Sequence, residues 1–156
     1  MGAFHESEML YLFDQVHEYA QCIREFDFRG ALKFVMEISS AGNVLLQKNE
    51  PWKNQKSEPE LVEVVINLCL QYIAVLSVII HPILPFTSTK VRKLLNFPEI
   101  IEEGELLEML DKIAEGDLVI TTGHRIAKAE YVFTKIDDAL IEQQITKLNA
   151  SLHQNE

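Results

Sequence analysis

The residue with the clearest capacity for recognition chemistry in this sequence is Trp52, which stands in Glu50-Pro51-Trp52-Lys53 and is the single tryptophan. An exposed indole can stack on a nucleobase, an interaction worth about 1–3 kcal/mol per base, and Lys53 beside it could meet a phosphate. Tryptophan is nevertheless buried on average, so a lid packed over a hydrophobic core is the more ordinary interpretation. A lone lysine is likewise usually only solvated. The residues alone leave both interpretations open.

The other reactive side chains form no recognisable catalytic or metal-binding constellation. None of the five histidines has a histidine four residues away or a metal-ligand spacing with cysteine. His81 precedes Pro82 at a predicted helix end, where an imidazole can cap free carbonyl groups. Cys22 and Cys69 lie in apolar helical patterns, which predicts buried free thiols. We therefore predict no catalytic residue and no metal ligand.

Hydrophobic periodicity divides the chain into helices that short loops connect. The predicted helices cover about residues 6–24, 28–48, 58–80, 87–95, 105–113 and 138–148. Asp27 is the predicted N-cap of the second helix, and Ser57 with Glu60 has the form of a capping box before the third. Thr87 or Ser88 is the predicted cap of the fourth.

The character of the sequence changes after residue 116. Asp117–Thr122 is β-branched and strand-like, and Glu130–Phe133 is a second extended piece. We expect residues 1–116 to form a helical domain, with residues 117–156 adding an extended segment and a C-terminal helix that pack on the same domain. The predicted fold is an all-α helical bundle with a short extended appendage and a final helix.

The third predicted helix is nearly long and apolar enough to span a bilayer. However, Glu63, Asn67 and Gln71 recur every four residues and form a polar stripe that a lipid-facing helix would not carry. We interpret it as a central buried helix with one wet edge. The N-terminus has no signal-peptide pattern, so a cytoplasmic protein is expected.

The charge of the chain argues against a stand-alone nucleic-acid binder. Fourteen Lys and Arg face twenty-four Asp and Glu, which gives a net charge of −10. Proteins that bind RNA unaided usually carry a basic patch. Any RNA contact must therefore be local, or it must draw most of its affinity from other parts of a larger protein.

Five motifs follow one another between about residues 20 and 148. They are Phe26-Asp27-Phe28-Arg29-Gly30-Ala31-Leu32; Ala41-Gly42-Asn43 followed by Glu50-Pro51-Trp52-Lys53; His81-Pro82-Ile83-Leu84-Pro85-Phe86; Gly123-His124-Arg125-Ile126-Ala127-Lys128 with Ile136-Asp137-Asp138; and Ile141-Glu142-Gln143-Gln144-Ile145. In this order they resemble the anticodon-binding domain of methionyl-tRNA synthetases. The Gly123 to Asp138 stretch is the most specific to that family, whereas several class I synthetases share the His81 to Phe86 ending. Ala129 stands where the family often has Pro, which affects the stiffness of one turn.

The resemblance implies a role in selecting methionine tRNA by its CAU anticodon. In that family the tryptophan of the Pro-Trp motif stacks on an anticodon base, and the matching residue here is Trp52. Lys53 is implied as a weaker contact. Asn43 matches a position on the neighbouring helix that serves the structure more than base reading. These three residues are the predicted anticodon-binding set.

The resemblance also implies a larger parent enzyme, a methionine–tRNA ligase that uses ATP. Neither family signature for ATP binding, H-I-G-H or K-M-S-K-S, occurs in the sequence. The helix that supplies Asn and Arg to anticodon recognition would precede the first predicted helix. We therefore expect a non-catalytic part without its own cofactor. Its expected partners are methionine tRNA and a catalytic domain that holds ATP, with zinc as a second candidate cofactor, and we expect no membrane or DNA partner.

Two other interpretations remain open, and a third is weaker. The chain could be the anticodon domain of a different class I synthetase, which would ignore the CAU anticodon. It could instead be a helical protein-interaction module, which suits the acidic charge but leaves the ordered motifs unexplained. A small enzyme fits less well, because no acid–base pair or nucleophile elbow is evident.

Overall fold

A computed structural model describes residues 2–99, 101–102 and 104–152. Seven helices lie within these ranges, and none of the residues in them forms a strand. The helices are Gly2–Arg24 (α1), Phe28–Asn49 (α2), Pro51–Asn54 (α3), Pro59–Ile79 (α4), Pro85–Leu94 (α5), Glu105–Ala114 (α6) and Asp138–Leu152 (α7). The predicted all-α fold is confirmed, and each of the six predicted helices is found within a few residues of its expected bounds.

Helices α1 and α2 form an antiparallel hairpin around the short turn 25–27. The predicted N-cap is confirmed, because Asp27 Oδ1 accepts a hydrogen bond from the backbone N–H of Gly30 at 2.9 Å. Gly42 on α2 lies against α4, where an added Cβ would be 3.4 Å from Cδ1 of Tyr72. Helices α2 and α4 therefore pack closely at this glycine. The predicted apolar face of α1 supplies Met9, Leu12, Val16, Tyr19 and Ala20 to the core.

Helix α4 is the centre of the bundle and contacts α1, α2, α3, α5 and α6. It is the one helix among the described residues that is long and apolar enough to cross a membrane, with a mean hydropathy of 2.1. Half of its most apolar window is buried inside the protein. This arrangement agrees with the interpretation of α4 as a central core helix.

The predicted wet edge of α4 is correct for Glu63 and Asn67, which are exposed, but wrong for Gln71. Only 1% of Gln71 is exposed. Its Nε2 donates to the backbone oxygen of Ile120 at 2.6 Å, and its Oε1 accepts from the backbone N–H of Ile120 at 3.2 Å. The amide of Gln71 thus satisfies both backbone groups of a buried residue 49 positions away in the chain, a partner that periodicity could not reveal.

The β-branched segment after residue 116 forms no strand in the described part of the chain, so its strand-like interpretation is wrong. Gln71 takes the backbone hydrogen bonds of Ile120, and the residues that follow the segment bond to the C-terminal end of α5. The N–H of Ala127 donates to the oxygen of Leu94 at 2.8 Å, and Nδ2 of Asn96 donates to the oxygen of Arg125 at 2.6 Å. The segment therefore packs on α4 and α5, because the ends of α5 and the side chain of Gln71 take the place of a partner strand.

Asp137 caps helix α7, because its Oδ1 accepts a hydrogen bond from the N–H of Leu140 at 2.8 Å. The side chains of residues 138–149 are all exposed. No side chain in this range is buried, so burial gives no support to the predicted packing of α7 on the bundle.

Two predicted caps are wrong. Helix α4 begins at Pro59 without a side-chain cap, and Ser57 Oγ donates to the oxygen of Asn54 at 3.4 Å. Helix α5 begins at Pro85, and Ser88 is buried with its Oγ donating to the oxygen of Ser77 at 2.6 Å. Proline is favoured in the first turn of a helix because the N–H it lacks would have no partner there.

The tie between Gln71 and Ile120 gives a stability prediction. Gln71→Ala leaves two buried backbone groups of Ile120 without partners and should lower the free energy of unfolding by about 2–4 kcal/mol. Urea unfolding measures the loss. The matched control is Gln47→Ala, since Gln47 is exposed on α2, and it should change stability by less than about 0.5 kcal/mol. Equal losses in the two variants would contradict this account of the segment.

Tyr19 gives a prediction about pH. It is fully buried, its hydroxyl donates to the oxygen of Ile79 at 2.7 Å, and burial raises its pKa to about 12. The unfolded chain loses this proton at about pH 10, so the stabilising contribution of Tyr19 is present below that pH and is lost as pH rises towards 12. The difference in unfolding free energy between wild type and Tyr19→Phe should shrink by about 1.4 kcal/mol per pH unit above 10. A constant difference from pH 8 to 11 would count against the buried hydroxyl.

Candidate nucleic-acid interface

The candidate site begins at a fixed reversal of the chain after α2. Glu50 has a left-handed backbone, with φ 39° and ψ 57°, and its N–H donates to the oxygen of Leu46 at 3.1 Å. This conformation costs a residue with a Cβ on the order of 1 kcal/mol. Pro51 follows as the first residue of α3 and is buried. The reversal therefore ends one helix and starts the next within a single residue.

Side-chain amides hold this reversal in place. Nδ2 of Asn49 donates to the oxygen of Leu45 at 2.8 Å, and Nδ2 of Asn54 donates to the oxygen of Asn49 at 2.9 Å. Both bonds are half-buried, and the bond from Asn54 satisfies a carbonyl group that the end of α2 would otherwise leave free. The turn is thus held in a defined conformation and forms a platform. Helix α3 was not predicted from the sequence, because four residues are too few to show a helical period.

Trp52 projects from this platform with 59% of its surface exposed. The lid interpretation suggested by average tryptophan burial is therefore wrong. Pro51, the preceding residue, takes the buried position instead. A large exposed aromatic on a held turn is available to stack on a flat ligand such as a base.

Positive charge surrounds Trp52 locally. Lys53 is exposed, and its Nζ lies 2.7 Å from Oε1 of Glu50, in a surface ion pair of the kind that is worth about 0–1 kcal/mol. Lys48 and Lys56 are also exposed. The sequence interpretation missed these two, although three lysines within nine residues were the available signal. Residues 48–56 thus carry three lysines and one carboxylate, that of Glu50, so this stretch is positively charged within an acidic protein.

The structure separates Asn43 from Trp52 and Lys53. Asn43 is exposed on α2 and lies about two turns before the end of that helix. It lines a small cavity of about 130 Å³ between α2 and α4, beside Gly42 and Tyr72. The structure thus brings Trp52 and Lys53 together on α3, while Asn43 belongs to the adjoining packed surface.

The cysteines offer little nucleophilic chemistry. Burial raises the pKa of the Cys69 thiol. Burial, and then the carboxylates of Asp27 and Glu25, raise the pKa of the Cys22 thiol. A raised pKa keeps a thiol protonated, whereas the thiolate is the nucleophile. Within the described ranges no three His, Cys, Asp or Glu side chains are grouped so as to hold a metal ion.

Comparisons with known proteins agree on one family. A sequence model described as the anticodon binding domain of methionyl tRNA ligase matches residues 2–152. The chain is 38% identical over 132 residues to a methionine–tRNA ligase of Christiangramia forsetii, covering 85% of the chain and 19% of that relative. It is 37% identical over 139 residues to that of Phocaeicola vulgatus, covering 89% and 19%. For Bacteroides fragilis the values are 35% over 153 residues, covering 97% and 21%. The chain therefore spans about a fifth of the length of these relatives.

The exposure of Trp52 predicts its fluorescence. Since it is the single tryptophan, emission should lie close to that of tryptophan in water, and acrylamide should quench it strongly in the folded protein. Unfolding in urea should raise the quenching constant only slightly. A blue-shifted emission that acrylamide reaches only after unfolding would contradict the exposed platform.

Proposed function

The chain belongs to the family of methionyl-tRNA ligase anticodon-binding domains, and we propose that it binds the CAU anticodon of methionine tRNA by stacking Trp52 on one of its bases. The observation that supports the proposal most directly is the exposure of Trp52, 59%, on a turn that backbone and side-chain hydrogen bonds hold. Single-stranded loops are the part of an RNA whose unstacked bases can be bound in this way.

The lysines around Trp52 suit the phosphates on either side of a stacked base. Lys48, Lys53 and Lys56 are exposed, and each can place a mobile ammonium group against a phosphate oxygen. The ion pair between Lys53 and Glu50 is weak enough for a phosphate to replace it. Under the proposal these lysines supply affinity, and Trp52 fixes the position of the loop.

Stacking alone does not select a sequence, because every base has a π-face. Reading CAU requires hydrogen bonds to base edges, and part of that reading must come from outside Trp52 and its lysines. Asn43 is exposed but sits about two turns away along α2. Its proposed role is to shape the adjoining surface, rather than to read the base that Trp52 holds.

The proposal places this chain within a larger ligase that attaches methionine to its tRNA. Support comes from the relatives, which are named methionine–tRNA ligases and are about five times as long as the matched region. The chemistry would use ATP in a catalytic domain, with zinc as a second candidate cofactor there, and the enzyme would act in the cytoplasm. A net charge of −10 suits such a division, since the domain would not need to attract RNA alone.

The family match and the names of the relatives argue against one rival interpretation, the anticodon domain of another class I synthetase. A protein-interaction module has one observation in its favour. Phe28, Leu32 and Met36 recur every four residues on α2, and each is between 45% and 64% exposed. That apolar face could dock another protein.

A binding comparison tests the proposal. The affinity of the chain is measured by fluorescence anisotropy for a labelled RNA hairpin whose loop carries CAU, with a changed anticodon as the second RNA. Trp52→Ala should weaken binding to the CAU hairpin by about 1–3 kcal/mol, which is roughly 5- to 150-fold. Trp52→Phe should keep part of the affinity, because a benzene ring also stacks.

The matched control is Phe28→Ala, which removes another exposed aromatic from the opposite end of α2 and should leave RNA binding unchanged. Equal affinity of wild type and Trp52→Ala for the CAU hairpin would falsify the proposed role of Trp52. If the chain binds neither hairpin and Phe28→Ala abolishes capture of a protein partner, the interaction module is the better account.

A further inference from the structure

Positive charge in this acidic protein is concentrated in two segments, 85–98 and 118–136. Together they carry six of the fourteen Lys and Arg and one of the twenty-four Asp and Glu, a net charge of +5. The rest of the chain carries eight basic and twenty-three acidic residues, a net charge of −15. The two segments lie far from Trp52 in sequence, so this concentration is separate from the site on α3.

The fold brings these two segments together. Nζ of Lys90 on α5 donates to the oxygen of Val132 at 3.3 Å, and the N–H of Ala127 donates to the oxygen of Leu94 at 2.8 Å. Between them lies an open groove of about 460 Å³. It is lined by Lys90, Lys93, Leu94, Ala127, Lys128, Glu130, Tyr131 and Val132.

The three lysines of this groove keep most of their charge uncompensated. Lys90 donates to a neutral carbonyl group, so its charge is unpaired. The ammonium of Lys93 lies 3.8 Å from a carboxylate oxygen of Glu99, which is a loose surface pair. Lys128 makes no ion pair with any described residue. With Glu130 as the single carboxylate on its lining, the groove attracts anions.

An exposed aromatic side chain accompanies this charge. Tyr131 lines the groove with 94% of its surface exposed, more than any other aromatic residue for which exposure is given. It supports no core, so its ring is available to a ligand. Lysines that flank an exposed ring are the combination with which proteins hold single-stranded nucleic acid, because phosphate contacts and base stacking then act together.

We propose that this groove is a second RNA-binding site, in which Lys90, Lys93 and Lys128 contact phosphates and Tyr131 stacks on a base. The proposal rests on the proposed function, because the RNA is the one whose loop Trp52 engages. A four-residue loop joins α3 to α4. Ile120, in the second of the two segments, is bonded to Gln71 on α4, about 18 Å along the helix axis from Pro59. A hairpin with its stem is long enough to reach both sites.

The test measures the salt dependence of RNA affinity for the whole chain between about 50 and 200 mM salt. In the triple variant Lys90→Ala, Lys93→Ala, Lys128→Ala, affinity should fall equally for the CAU hairpin and the changed-anticodon hairpin. The slope of log affinity against log salt should become shallower by about 2–3, because roughly 0.7–0.9 is lost per phosphate contact. Tyr131→Ala should weaken both hairpins about five-fold or more, and Tyr131→Phe should not.

Two controls separate location from charge. A control triple variant removes three exposed lysines outside the groove and should leave the slope of log affinity against log salt unchanged. Its substitutions are Lys33→Ala, Lys112→Ala and Lys147→Ala. Exchanging the three groove lysines for Arg keeps the charge and should retain wild-type affinity. A groove triple variant with the wild-type slope overturns this inference, whatever Trp52 does.

The outcomes distinguish this inference from the proposed function. A loss of affinity that leaves the salt slope unchanged belongs to Trp52, whereas a shallower slope belongs to the groove. A chain that binds neither hairpin at the lowest salt overturns both. Sedimentation of the same variants covers the remaining case: if the groove triple variant abolishes self-association and leaves RNA affinity unchanged, the groove binds a second copy of this acidic chain and the RNA assignment is wrong.

Discussion

Burial of α4 is the constraint on which the rest of this structure depends. The helix is apolar enough to cross a membrane, half of its most apolar window is buried, and α1, α2, α3, α5 and α6 all contact it. Its polar positions then determine what can cover it. Gln71 cannot be buried without partners for its amide, and the backbone of Ile120 supplies them. The segment after residue 116 is therefore held on the bundle by hydrogen bonds, without a partner strand.

The same constraint produces the two candidate RNA-binding surfaces in different ways. At one end of α4, Pro51 is buried while the left-handed backbone of Glu50 turns the chain, so Trp52 is left outside. Beside α5, the docked segment brings Lys128 and Tyr131 next to the lysines of α5. Hydrogen bonds hold the backbone beside both surfaces, and holding an aromatic side chain in place beforehand lowers the cost of binding a base.

Hydrophobic periodicity was sufficient to predict six of the seven helices in the described part of the chain, since a buried face must recur every three or four residues, and α3 is too short to show this period. The cap at Asp27 was predictable because an N-cap side chain bonds to an amide only three residues away. The two wrong caps are local, since proline starts both helices, whereas the other wrong predictions concern partners distant in sequence. The spacing of Gln71 predicts a solvent-exposed position, because nothing in the local sequence shows that Ile120 lies against it. The β-branched segment likewise has the composition of a strand, although a side chain of α4 takes the backbone hydrogen bonds of Ile120. The exposure of Trp52 was equally hidden, because average burial favours the opposite answer and only the family resemblance pointed the right way.

The measurement that tests the central claim most directly is the fluorescence of Trp52 during titration of the unlabelled chain with RNA hairpins at low salt. The account predicts saturable quenching by the CAU hairpin, because stacking places the indole against a base of the bound loop. Fluorescence that stays constant while sedimentation shows the CAU hairpin bound would contradict it. That result would mean that the RNA binds elsewhere on the protein and that Trp52 takes no part in recognising it.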